Sequence, residues 1–276
     1  MPHAAYVFDA YGTLFDVHSA VNRIAGRIGA DAVPFSELWR SKQLEYSWVR
    51  TLMDSYRDFW SLTGDALDFT FQKFPAVDRG LRDELLGAYR GLQAFPEVKS
   101  ALQALRQGGA RLAILSNGSP CMLESAVAAA GLDGLFDAVF SVDVIRTYKT
   151  SPDTYRLVTQ RWGLAPDAVS FQSSNRWDVA GAMRFGFRTV WANRPGQPDE
   201  YGDLPPARTI RSLARAARPL SMCFLGNSVA AVTRLPFFHQ GHVRKGNFLH
   251  AVDLNSTRDD RSPAPGRVLG NGRNAG

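Results

Sequence analysis

Histidine and cysteine are scarce in this chain of 276 residues, with five of the one and two of the other. No histidine stands between His18 and His239, so a Ser-His-Asp hydrolase site would lack its base across most of the chain. Cys121 and Cys223 are too few for a disulfide framework, and there is no Cys-x-x-Cys pair to hold zinc. His239 and His242 make a His-x-x-His pair without a third ligand, so no metal role is expected there. Long apolar runs are missing as well, which excludes a membrane-spanning helix and gives no membrane partner. The first strand signal arrives at 4–8, leaving no room for an export signal, and a cytoplasmic, reducing setting is expected.

Charge is present but unevenly placed. The net charge is +6, yet 219–276 holds seven Lys or Arg against three Asp or Glu, so most of the excess lies in that tail. The rest is nearly balanced and has no basic stripe interleaved with aromatics, so no nucleic-acid partner is expected; a basic pocket for small anions stays open. With 45% apolar residues, a chain of this length can bury one substantial core and a smaller subdomain.

The pattern of residues divides the chain. AYVFDA, at 5–10, is a short strand-favouring run that ends in a turn carrying Tyr11, Gly12 and Thr13. Helical periodicity then fills 17–89, with Leu38, Leu44, Trp48, Val49 and Leu52 expected on one apolar face. Beyond Pro96 helices alternate with strands: helices over 97–108, 122–130, 152–162 and 179–185, strands over 111–115, 138–142, 169–173 and 188–192. Such alternation predicts an α/β fold with a doubly wound, Rossmann-like parallel sheet, and the helical block becomes an insertion after the first strand. The expected division is an α/β core of 1–16 and 93–218, a helical cap of 17–92, and a tail of 219–276. Within the tail, 223–235 could form one further element, and the Gly-, Pro- and Arg-rich stretch from 256 reads as disordered.

Four polar clusters fall at or just past predicted strand ends: Asp9–Thr13, Ser116–Ser119, Lys149 and Ser173–Asp178. Strand ends along one edge of a parallel sheet converge, so these can form one pocket. An ionised Asp9 beside a lysine can attack an electrophilic carbon and form an ester, whereas alone it would read as a turn or capping residue.

The segments FDAYGTLFDV (8–17), WRSKQLEYSWVRTLM (39–53), LSNGSP (115–120), YKTSPDTY (148–155) and SSNRWD (173–178) carry a further message. In this order and spacing they resemble the haloacid dehalogenase superfamily, and specifically its L-2-haloacid dehalogenase branch. The resemblance covers roughly four fifths of the chain and leaves the tail unexplained. It implies hydrolysis of L-2-haloacids to D-2-hydroxy acids through an ester on Asp9, with no cofactor and no metal. The partners would be a small 2-haloalkanoic acid, water and the halide product, and the enzyme would pair as a homodimer. Thr13 and Lys149 would orient the carboxylates; Asp178, with Asn175 and Ser173, would position water. Ser116 and the backbone near Ala10, Tyr11 and Asn117 would hold the substrate carboxylate, and Arg40 with Asn117 would receive the halide. Tyr11, Leu44, Phe59 and Trp177 would line a dry pocket, and Tyr155 matches a family active-site position. The bland reading beside each is a capping residue, a solvated arginine or an ordinary core aromatic.

Similar phosphatases place a second Asp two residues after the nucleophile to protonate an alkoxide; here that position is Tyr11, a poor acid at neutral pH. A halide needs no proton. The family's magnesium cluster is also reduced, with Ser173, Ser174 and Asn175 around the retained Asp178. Two alternatives stay open, a magnesium-dependent phosphatase of small esters and a catalytically silent binder of small carboxylates.

Overall fold

The computed structural model describes residues 3–216. The expectations for 219–276, including the element at 223–235, the His239–His242 pair and the low-complexity end, lie outside the described residues.

Six strands form one parallel sheet in the order β3-β2-β1-β4-β5-β6. They are β1 Ala5–Phe8, β2 Arg111–Ser116, β3 Ala138–Ser141, β4 Val169–Ser173, β5 Arg188–Ala192 and β6 Arg208–Ile210. All five strands expected from the sequence are present. The sixth is a three-residue edge strand, too short to leave a periodic signal. Strand side chains alternate between two buried faces. Tyr6, Phe8, Leu112 and Ile114 join one apolar cluster, while Val7, Ala113 and Leu115 join another with Tyr155, Val169, Phe171 and Phe187. A sheet covered on both faces needs such nearly continuous apolar strands.

Between β1 and β2 come α1 Ser19–Asn22, α2 Ala25–Ile28, α3 Ala32–Leu52, α4 Phe59–Lys73, α5 Arg82–Arg90 and α6 Val98–Gln107. The crossovers that follow are α7 Pro120–Ala129, α8 Pro152–Trp162 and α9 Arg176–Phe185. α3 packs on α4, and both share the cluster that covers one sheet face.

The expected apolar face of α3 is not the buried one. Its buried residues are Ala32, Phe35, Ser36, Trp39, Gln43 and Ser47, whereas Trp48, Val49 and Leu52 are exposed, Leu52 at 87%. Leu38 and Leu44 are half-buried. The polar members of the true face are bonded within it. Gln43 Nε2 donates to Thr63 Oγ1 at 2.9 Å, Tyr89 Oη donates to Gln43 Oε1 at 3.1 Å, and Ser47 Oγ donates to Leu44 O at 2.7 Å. Burial of polar groups is inexpensive once they are paired, and that pairing hid this face from hydrophobic periodicity.

The expected helix over 179–185 begins three residues earlier, at Arg176, with Asn175 as its N-cap residue. That shift puts Asp178 in the first turn rather than in a loop.

Candidate active site

In the strand order, β1 has β2 on one side and β4 on the other, with chain progression reversing between β1 and β4. Ligands of open α/β sheets bind at such a switch point, beyond the carboxyl ends of the strands. Asp9 follows β1 directly and its amide donates to Gln172 O of β4 at 2.9 Å, so the carboxylate stands in that crevice. The turn after it is tight. Ala10 O accepts from the amides of Thr13, Leu14 and Phe15 at 3.2, 2.8 and 3.0 Å. Gly12 takes φ +90°, a conformation that a Cβ would strain.

Asp9 is 5% exposed and accepts from three donors. Thr13 Oγ1 and Asn175 Nδ2 both reach Oδ2 at 2.8 Å, and Lys149 Nζ reaches Oδ1 at 3.0 Å. Lys149 Nζ also donates to Asp178 Oδ2 at 2.9 Å, so one ammonium spans two carboxylates. Tyr155 Oη donates to Asp178 Oδ1 at 2.9 Å. Gly181 keeps that contact possible, because a Cβ there would lie 2.5 Å from Tyr155 Oη. Asn175 Nδ2 donates to Tyr11 O at 3.1 Å as well, and no side chain caps α9. Its amide is turned to Asp9 instead of to the helix end.

Two carboxylates share one cation, so part of their charge is uncompensated. Burial pushes Asp178 up to about 6, against the lowering pull of Lys149 and with a raising contribution from Asp9. For Lys149, burial alone would lower the ammonium, but Asp178 and Asp9 outweigh it and hold Lys149 above the ordinary lysine range. Burial keeps the Tyr11 and Tyr155 phenols well above their usual value, so both remain neutral donors.

Ser116 and Asn117 close the opposite wall. Ser116 Oγ accepts from the Gly118 amide at 3.1 Å, and Asn117 Oδ1 accepts from the Lys149 amide at 3.0 Å. α3 brings Arg40 over the turn, where Nη2 donates to Tyr11 O at 3.2 Å. Among the described residues, the buried Arg40 Nη1 and Tyr11 Oη have no hydrogen-bond partner. Phe59 is buried with its ring 6.2 Å from that of Tyr11. Trp177 meets Trp48 edge to face at 5.4 Å.

One expected member stands apart. Ser173 Oγ accepts from the Asn175 amide at 3.1 Å, and no hydrogen bond joins it to Asp9 or Asp178. Leu44 lies one turn beyond Arg40 on α3 and is half-buried. Conversely, sequence reasoning passed over Arg194 and Tyr89. Arg194 donates to Thr13 O, Ser174 Oγ and Glu97 Oε1, each at 2.9 Å, and so fixes the turns that carry Thr13 and Asn175. Tyr89 stacks on Tyr11 with centroids 5.8 Å apart.

Magnesium fits this donor set poorly. Lys149 Nζ occupies the space between Asp9 and Asp178, the position after next from Asp9 is a tyrosine, and magnesium seeks several oxygen ligands. No group of three or more His, Cys, Asp or Glu suited to a metal occurs among the described residues. None of the described helices is long and apolar enough to cross a membrane.

The model of the haloacid dehalogenase-like hydrolases matches residues 3–186. The chain is 48% identical over 211 residues to (S)-2-haloacid dehalogenase 4A of Burkholderia cepacia, spanning 76% of this chain and 91% of that one. It is 47% identical over 214 residues to (S)-2-haloacid dehalogenase 1 of Pseudomonas sp. strain CBS-3, spanning 77% and 94%. The solved structure of L-2-haloacid dehalogenase from Xanthobacter autotrophicus with chloropropionic acid covalently bound is similar at a TM-score of 0.71 and 37% identity, covering 79% of this chain and 97% of that one. The chain belongs to the haloacid dehalogenase-like hydrolases and, within them, to the branch of the (S)-2-haloacid dehalogenases.

Proposed function

We propose that this enzyme hydrolyses the carbon–halogen bond of small L-2-haloacids to D-2-hydroxy acids, through an ester on Asp9 and without a metal ion. Asp9 Oδ1 accepts one hydrogen bond and Oδ2 two, so Oδ1 has the spare lone pair for attack. Oδ1 bonds to C2, the C2–halogen bond breaks, and its electron pair leaves with the halide. Water then adds to the Asp9 carboxyl carbon and gives a proton to Asp178; the bond from that carbon to Oδ1 breaks, Asp178 returns the proton to the departing oxygen to give the hydroxy acid, and the remaining water proton is lost to solvent as Asp9 reionises. Only the first step touches C2, so configuration inverts once.

The other residues divide the remaining tasks. Thr13, Asn175 and Lys149 orient Asp9, while Tyr155 and Lys149 hold Asp178. Ser116 and the backbone near Ala10, Tyr11 and Asn117 receive the substrate carboxylate. Arg40 and Asn117 take the halide: Arg40 Nη1 is a buried donor without a protein acceptor, a costly condition that an anion relieves. Phe59 and Trp177 restrict water around Asp9. In this reading 17–92 is a cap on the core of 1–16 and 93–218. Two copies pair through their helical surfaces.

The observation that carries the proposal is the single ammonium of Lys149 held between Asp9 and Asp178, with Tyr11 where a phosphatase would need an acid. The curated relatives' (S)-2-haloacid dehalogenase activity supports it. Chloride release from both enantiomers of 2-chloropropionate, in the presence of a chelator, tests it. Release from the L enantiomer is expected; release that stops with the chelator, or phosphatase turnover restored by magnesium, rejects it.

A further inference from the structure

Arg194 follows the end of β5 and ties together three segments that are far apart in sequence. Nη2 donates to Thr13 O in the turn after β1, Nη1 donates to Ser174 Oγ in the loop after β4, and Nε donates to Glu97 Oε1 ahead of α6, each at 2.9 Å. Glu97 is held in turn, because Oε1 also accepts from the Leu213 amide at 3.4 Å. The guanidinium lies 3.8 Å from the centroid of the Phe95 ring, and 17% of the side chain is exposed. A planar fork bonded from every nitrogen fixes its acceptors in direction as well as distance, which a solvated arginine does not do.

The two turns that Arg194 joins are the two that supply donors to Asp9 Oδ2. Thr13 Oγ1 and Asn175 Nδ2 both reach that oxygen at 2.8 Å. The Ser174 amide donates to Thr13 Oγ1 at 2.8 Å, which leaves the hydroxyl proton for Asp9. Thr13 is thus held at its carbonyl by Arg194 and at its hydroxyl by Ser174. The demand on Oδ2 differs between the two steps of the reaction. As Oδ1 bonds to C2, the shared negative charge is lost and Oδ2 becomes the carbonyl oxygen of the ester. As water adds to the carboxyl carbon, an electron pair moves onto Oδ2 and the charge returns there. Fixed donors on Oδ2 therefore assist the second step, as an oxyanion site, and not the first.

We propose that Arg194 is a positioning residue for ester hydrolysis: it holds Thr13 and Asn175 at the spacing that stabilises the oxyanion on Asp9 Oδ2, and Glu97 holds Arg194 in place. The inference rests on the covalent reading above. The full chain and its Arg194→Met and Arg194→Lys variants are saturated with L-2-chloropropionate, quenched in the steady state, and weighed by mass spectrometry. The ratio of esterified to unmodified enzyme equals the rate of ester formation over that of hydrolysis. Arg194→Met should raise this ratio by about tenfold to hundredfold, the size of a misplacement of roughly 1 Å. Its kcat/KM should stay near that of the unaltered enzyme, because that quantity covers only the steps through halide departure. Arg194→Lys keeps the charge but not the fork, and should fall between the two. An unchanged ratio, or a kcat/KM that falls as far as kcat, overturns the proposal. If Arg194→Met does not fold by circular dichroism, Arg194→Lys decides by the same two criteria. If the unaltered enzyme releases no chloride, or a single turnover in heavy-oxygen water leaves Asp9 unlabelled, the covalent reading falls and takes this one with it; labelled Asp9 leaves that reading standing whatever the variants do.

Discussion

Around Asp9 and Asp178 the chemistry depends on how one ammonium is divided between two buried carboxylates. Asp9 has Thr13 and Asn175 as additional donors, whereas Asp178 has Tyr155 and full burial. This asymmetry suits an attacking carboxylate in one place and a proton acceptor in the other. Because burial raises Asp178 to about 6, the group takes up its proton at a higher pH than an ordinary aspartate. Its carboxylate form is the one that accepts a proton from water, so turnover should be lost as pH falls through about 6, near tenfold per unit below it. A kcat profile that stays flat to pH 5 would contradict that role. Asp178→Asn should release about one halide per active site and then stall, leaving a mass adduct on the protein; continued turnover would remove Asp178 from the hydrolytic step. Of these residues, Asp9, Thr13, Lys149, Asn175 and Asp178 were legible because strand ends and family segments coincide on them. Arg194 was not, since an arginine following the last predicted strand reads as solvated surface until its three contacts are seen.

Among the elements, the strands were the easier to read, because each is a short apolar run buried on both faces. The helices following β4 and β1 were harder for different reasons. α9 begins among Ser, Asn and Arg residues that resemble a loop, yet that early start puts Asp178 in the first turn of the helix and within reach of Lys149. On α3 the most apolar stripe faces outward, while the buried face includes Gln43 and Ser47. The two faces should differ sharply in stability measurements. Trp39 is buried, donates from Nε1 to Thr63 O at 2.9 Å and packs against Tyr89, so Trp39→Ala should cost about 3–5 kcal/mol. Leu52→Ala, at a residue 87% exposed, should stay within about 0.5 kcal/mol. Urea denaturation of both variants checks this, and a reversed ranking would show that the outward stripe is the one that stabilises the monomer.

For the molecule as a whole, the fold class and the branch of the family were readable because four clusters far apart in sequence share one sheet edge. What the sequence could not convey was the shared core. One apolar cluster joins Tyr6 and Phe8 of β1 to Phe35, Trp39 and Phe59 of the helical block, so Arg40 and Phe59 are held above Asp9 by the same packing that supports the sheet. The helical block therefore does more than cover the crevice, since it fixes the residues proposed to receive the halide. Everything in that scheme requires Asp9 to become covalently bound to the substrate. A single turnover in heavy-oxygen water, followed by mass analysis of both product and the peptide carrying Asp9, tests this most directly. The first product should contain ordinary oxygen taken from Asp9, and the label should be found in the Asp9 carboxylate. Label in the first product with none in Asp9 would mean that water attacks carbon directly.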